Sequence, residues 1–272
     1  MGKKTTEPPR KHWRHYVLPA LACCLVLLAV LVTFQEMERF LIHDVRFGLR
    51  RADLPGQASP DLRITGLNRT SAAQVRKLFT EDAGRSVYLL PLAERRESIR
   101  AIGWVKDASV SRAWPNRVEV RIQERKPQAF VRLAGGGRAA RPMLIDEDGV
   151  ILPVPHDPVR LELPVLAGIG EHHTQQERAV RVRLLQEVEG QLGSLKESIS
   201  EYDLHDLSCV RLAMQVEGEP VVVLVGTEHY ARRVELFLRY FKEIRRKAPG
   251  AGTFDLRLEG RITVVEQEPD GT

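Results

Sequence analysis

Hydrophobic and polar positions divide the chain into one long apolar run followed by a series of shorter alternating or helix-spaced patterns. Val17 to Phe34 carries no charged residue, and about 18 such residues in a helix come close to spanning the hydrocarbon of a bilayer. No other stretch approaches it. A transmembrane helix is expected over 17–37, with Pro19 near the first turn, where its missing amide costs little. A cleavable leader is the competing reading, but it requires a small-x-small site after its apolar core. Thr33-Phe-Gln-Glu-Met37 supplies none.

Residues 38–60 are mixed and end in Asp53-Leu-Pro-Gly-Gln-Ala-Ser-Pro60, a run of turn formers that reads as a juxtamembrane linker. Between 61 and 127 the pattern is β-α-α-β-β. Leu62 and Ile64 alternate up to Gly66. Ser71-Ala-Ala-Gln74 has the spacing of a capping box and opens a helix with Val75, Leu78 and Phe79 on one face. Pro91 suits the start of a second helix carrying Leu92, Arg96, Ile99 and Ile102. Ala108 and Val110, then Val118, Val120 and Ile122, alternate with polar residues on either side of Trp114-Pro-Asn116. A three-stranded sheet covered on one side by two helices buries every one of these apolar faces.

From 128 to 266 short strands and hairpins surround two long helices. Met143–Ile145 and Val150–Leu152 flank a turn at Asp146-Glu-Asp-Gly149, after a Gly135-Gly-Gly137 loop. A helical stripe runs over 175–192 through Ala179, Val182, Leu185, Val188 and Leu192. Val210–Val216 and Val221–Val225 form a hairpin around Glu217-Gly-Glu-Pro220. A second helix over 230–244 turns Val234, Phe237, Leu238, Phe241 and Ile244 inward and Arg232, Arg233, Arg239, Lys242 and Arg245 to a solvated face. Thr253–Leu258 and Arg261–Glu266 close the domain as two strands around Gly260, the last a candidate sheet edge, before a polar tail at 267–272. The fold class is α+β: an N-terminal membrane helix, a β-α-α-β-β domain and a mainly antiparallel β-domain with two long helices.

Charge sharpens the topology. Five of the first sixteen residues are Lys or Arg against one Glu, so +4 of the net +5 belongs to this tail and +1 to everything after it. The basic tail should stay in the cytoplasm, by anionic lipid headgroups, with the bulk translocated. A near-neutral body gives no phosphate-binding footprint, so nucleic acid is disfavoured. Trp13 and Tyr16 fall at the membrane boundary, where amphipathic rings settle. Of three cysteines, Cys23 and Cys24 lie in the apolar run, leaving Cys209 with no partner for an intrachain disulfide in the exported part.

No reaction chemistry stands out. His172-His173 has no accompanying metal-ligand spacing. His205-Asp206 lacks a nucleophile elbow. Gly135-Gly-Gly137 lacks the Lys-Ser/Thr of a phosphate loop. We expect no catalytic, cofactor or metal site and no small-molecule substrate. Trp104 and Trp114 are read as core or rim residues beside strands.

The motifs at the element ends carry a resemblance. Trp104-Val105, Arg112-x-x-Pro115 and Glu124-Arg-x-Pro127, then Ile145-Asp-x-x-Gly149, Leu163-Pro-x-Leu-x-Gly168 and Phe254-Asp-Leu-Arg257, stand in this order behind one anchor. Together they make the chain similar to the FtsQ/DivIB family of bacterial cell-division proteins, with residues 61–127 resembling its POTRA domain and 128–266 its β-domain. The resemblance implies a non-catalytic scaffold of the divisome at the septum, anchored in the inner membrane. Implied partners are FtsB and FtsL outside the membrane, other divisome proteins such as FtsW, FtsI and FtsK, and the septal cell-wall synthesis machinery. The resemblance also assigns partner contacts to Phe254, Asp255, Leu256, Arg257, Leu258, Arg261, Ile262 and Val264. Leu258 stands where several relatives have an aromatic residue. The alternative is a periplasmic POTRA module of an outer-membrane assembly or secretion system, which usually precedes a barrel-length strand series that is missing here.

Overall fold

The computed structural model describes residues 14–51, 59–133, 142–155 and 161–265. The Gly135-Gly-Gly137 loop, Trp13, Glu266 and the 267–272 tail lie outside the described residues. The rest forms two compact units, dividing after Glu124.

Helix α1 spans Arg14–His43, and its Pro19–His43 portion is long and apolar enough to cross a membrane. It starts earlier than expected, so Pro19 sits inside it and one i→i−4 bond is missing there. It also ends later. Gln35 to His43 holds no Gly or Pro, and Arg39 pairs with Glu36 one turn back at 3.1 Å. The stretch read as linker is therefore helical at its start. It continues as a 3-10 turn, Val45–Phe47, capped by the Asp44 side chain, and then places Leu49 wholly inside the first core.

That core lies between a sheet and two helices. Strand β1 (Leu62–Thr65), α2 (Ala72–Lys77), α3 (Leu92–Arg100), β2 (Val105–Ala113) and β3 (Arg117–Glu124) follow in order. The sheet order is β1-β3-β2, with β1 parallel and β2 antiparallel to β3. Val75, Phe79, Ile99, Val118 and Val120 meet in one cluster, as their spacing predicts. Ser71 takes the N-cap position of α2, but its side chain makes no capping hydrogen bond. The amides before the helix donate instead to the Glu124 carboxylate, from Asn68, Arg69 and Thr70 at 2.6–3.0 Å. The glutamate that opens Glu124-Arg-x-Pro127 is thus a clasp from β3 to the β1–α2 loop. Arg112 clamps another loop, donating to the carbonyl oxygens of Val87, Tyr88 and Leu90 at 2.6–3.0 Å.

The second unit is a nine-stranded sheet under two helices. Its elements are β4 (Pro127–Val131), β5 (Met143–Asp146), β6 (Ile151–Pro153), β7 (Val165–Ala167), α4 (Gln175–Leu192), β8 (Ile199–Asp203), β9 (Val210–Val216), β10 (Glu219–Gly226), α5 (Tyr230–Lys247), β11 (Thr253–Asp255) and β12 (Thr263–Val265). The strand order is β12-β11-β10-β9-β8-β7-β4-β5-β6. Five pairs are antiparallel, while β4–β7, β7–β8 and β10–β11 run parallel; the last demands a crossover, and α5 is that crossover. Leu185 and Val188 of α4, Phe237 and Phe241 of α5, and Tyr202, Leu212 and Phe254 of the sheet share one core.

Glu217 and Gly218 both take positive φ, 53° and 85°, the two-residue turn that suits the right-handed twist of the β9–β10 hairpin. Helix α4 begins with a full capping box between Thr174 and Glu177. The β5–β6 turn is closed by Asp146, whose carboxylate accepts the Val150 and Asp148 amides at 2.8 and 3.1 Å and pairs with Arg125. Gly149 there has φ 75°, and a Cβ would come within 2.4 Å of the Gln175 carbonyl oxygen of α4, so both ends of the Asp-x-x-Gly motif have a structural cause.

Candidate partner-binding edge

The last hairpin is shorter than its alternation predicts. The chain leaves the ladder after Asp255 because that carboxylate turns back, accepting from the Arg257 amide at 2.9 Å and from its guanidinium at 3.0 and 2.6 Å. Such an Asx-type turn competes with strand pairing. Gly260, at φ 71°, and an Arg261 amide to Leu258 carbonyl bond complete the reversal into β12. Strand β12 pairs with β11 through Thr253–Val265, Phe254–Val264 and Asp255–Thr263. Among the described residues no strand pairs with its other side.

The eight residues assigned to partner contact fall into two groups. Phe254 and Leu256 are core residues, 0% and 3% exposed, and the Phe254 ring packs 5.0 Å from Phe237. They hold the edge in place from behind, and Asp255 orients Arg257 without facing solvent itself. Arg257 is half exposed, Leu258 and Val264 are exposed, and Arg257, Leu258, Arg261 and Ile262 line one side of a groove of about 480 Å³.

The other side of the groove comes from Glu228, His229, Arg232, Arg233 and Leu236 at the start of α5, none of which the sequence reading placed at a site. Arg232 is exposed, as expected, and lies 3.4 Å from Glu259 across the groove. Arg233 is not on a solvated face. It is largely buried, donates to the Val225 carbonyl oxygen at 2.6 Å, and fastens the first turn of α5 to the end of β10. Arg245 departs from expectation in the same way, with its guanidinium over the Phe241 and Phe254 rings and bonded to Ala251. Arg233, Phe237, Phe241 and Arg245 are four residues apart, so they form one row at the border of the apolar face.

Arg257 beside Asp255 holds that carboxyl below the usual carboxylate range, against the opposing effect of burial, and raises the guanidinium in turn. A folded pKa below the unfolded value of about 4 means stabilisation that is present above that value and lost as pH falls through the folded one. We therefore expect Asp255→Asn to lower stability at neutral pH and to reduce its fall between pH 4 and 2, measured by thermal unfolding across pH. Parallel profiles for both chains would reject the pair as a stabilising contact.

The other sites considered from sequence are structural in their contacts. His173 Nδ1 accepts the Gly170 amide at 2.9 Å, Asp206 accepts the Ser208 amide and hydroxyl, and no group of three metal-ligating side chains occurs among the described residues. Trp104 is buried with the Arg69 guanidinium over its ring at 5.2 Å, whereas Trp114 is 54% exposed.

Comparison with known proteins converges on one family. Residues 60–125 match the family described as "POTRA domain, FtsQ-type", and residues 135–257 match "Cell division protein FtsQ/DivIB, C-terminal". Proteins named "Cell division protein FtsQ" align over most of the length. That of Koribacter versatilis is 27% identical over 93% of this chain and 71% of its own. That of Zymomonas mobilis is 26% identical over 87% and 75%, and that of Nitrosospira multiformis 25% over 83% and 86%. With both folded units matched in order behind an apolar helix, the chain belongs to the FtsQ/DivIB family of bacterial cell-division proteins.

Proposed function

We propose that this chain is a membrane-anchored, non-catalytic scaffold of the divisome that captures FtsB, and through it FtsL, outside the membrane at the β12 edge. The observation that carries the reading is the side of β12 that no other described strand pairs with, beside a groove lined by arginines. An edge strand presents unpaired backbone donors and acceptors to which a partner segment adds as a further strand, while neighbouring pockets select its side chains. Leu258, Ile262 and Val264 supply apolar contact, and Arg257, Arg232 and Arg261 favour an acidic partner segment. The role extends to recruiting or regulating septal wall synthesis, with the basic tail in the cytoplasm and both folded units on the far side of the inner membrane.

The test is capture of FtsB by the full chain in detergent. Arg257→Glu should weaken capture roughly tenfold, the effect of about 1.4 kcal/mol at a reversed interface charge, with the circular dichroism spectrum retained. Equal capture by a folded variant would reject the assignment of the edge. The division role is read separately, by depletion, which should give filaments without septa.

A further inference from the structure

An exposed aromatic cluster where α1 meets the first unit is distant in sequence from the residues of the β12 edge. Phe40 on α1 meets the Phe47 ring edge-on at 5.5 Å, and Phe47 meets Trp114 at 5.7 Å. Phe40, Leu89 and Trp114 are each about half exposed, and Val45 is almost fully so. Large apolar side chains gathered this way in water are unusual without an occupant.

The geometry points to the bilayer itself: we propose that Phe40, Phe47, Leu89 and Trp114 dock the first unit into the headgroup layer on the far side of the membrane. The uncharged run of α1 ends at Phe34. The 18-residue run from Val17 covers about 27 Å, so hydrocarbon about 30 Å thick reaches roughly 1–2 Å past Phe34, and Phe40, about 9 Å past Phe34 along the axis, lies within a polar layer on the order of 5–8 Å deep. Phe40 therefore emerges at headgroup level, and two ring contacts carry Trp114 to it. That layer is where amphipathic aromatic rings are most stable.

The attachment is stiff enough to hold the level. The Ser86 hydroxyl donates to the Leu41 carbonyl oxygen of α1 at 2.6 Å. The Leu49 amide donates to the Arg85 carbonyl oxygen, and the Gly84 amide to that of Leu49. Arg112, just before the Trp114 turn, grips the segment bearing Leu89 through the carbonyl oxygens on either side of it. The 3-10 turn, the Leu89 segment and the Trp114 hairpin are thus joined to the end of α1 by hydrogen bonds and ring contacts. The folded unit completes an aromatic belt that the helix alone would leave unfinished. Its consequence is a fixed orientation of the first unit to the membrane, independent of any protein partner.

The test is quenching of tryptophan emission by lipids brominated near the top of the acyl chain. The full chain is placed in vesicles of phosphatidylcholine alone or mixed with phosphatidylglycerol. The Trp114 component is the emission lost on Trp114→Phe, and the Trp104 component is the emission lost on Trp104→Phe. In at least one vesicle composition, quenching should remove at least roughly twofold more of the Trp114 component, at the depth preferred by interfacial rings. Should Trp104→Phe disturb the buried core, the Trp114 difference against the unaltered chain still decides the matter. An unquenched, water-like Trp114 component in both compositions overturns the proposal and leaves the cluster to a protein partner.

Discussion

Phe254→Ala is expected to lower the stability of the second unit by about 3–5 kcal/mol, the range for removing a buried aromatic side chain. Phe254 is fully buried, its ring 5.0 Å from Phe237 and 6.4 Å from Phe241, with Arg245 over its face. Little can collapse into the space it leaves, because α5 is held on both sides, by Arg233 to β10 and by Arg245 to the chain beyond its end. The measurement is chemical denaturation followed by far-ultraviolet circular dichroism. All three tryptophans precede Arg125, so their emission reports on the first unit and serves as an internal control that should not move. A loss below 1 kcal/mol would show that the edge hairpin is not anchored through this ring. Arg257→Glu, in the same four-residue motif, removes only the exposed ion pair to Asp255 and should cost far less stability than the loss of this buried ring.

Asp146→Ala should be comparably damaging, at about 3–5 kcal/mol, the cost of leaving a buried charge without its partner. Asp146 is 1% exposed and Arg125 17%. Alanine would strip the Val150 and Asp148 amides of their acceptor and leave Arg125 with Asp148 at 3.2 Å, which is more exposed. That residual contact places the expected loss toward the lower end. Asp146→Asn should recover part of it by keeping an oxygen for the turn amides. The midpoint of the second unit's denaturation reads both, and a wild-type midpoint for the alanine variant would mean that the ion pair contributes nothing net.

Elements whose cause is local were legible in the chain. The stripe from Ala179 to Leu192 gave α4 its extent, and Val118, Val120 and Ile122 gave β3 its buried face. The runs Val210–Val216 and Val221–Val225 marked a hairpin on either side of Glu217-Gly-Glu-Pro220. What escaped reading depends on contacts between distant segments. Leu49 sits in a stretch as polar as a linker, and only the cavity formed by α2, α3 and the sheet makes it a core residue. Arg233 and Arg245 look solvated by residue type, yet carbonyl oxygens at the ends of β10 and α5 draw them in. Ser71 has the spacing of a cap but makes no capping bond, and the loop before it is held by Glu124, more than fifty residues later. The edge could be named from its motif, whereas its groove could not, because the far wall belongs to a helix that reaches it only through the parallel crossover.

The position of β12 as the last described strand has a consequence in time. During synthesis α1 emerges first, and at about 5–20 residues per second the outer strand follows on the order of ten seconds or more later. The crossover α5 must be laid down before β11 can find β10, and β11 before β12 has anything to pair with. The apolar helix therefore comes early, and among the described elements the outer strand comes last. On the function proposed above, a chain halted anywhere before Thr263 carries the apolar helix but not the strand that would receive a partner.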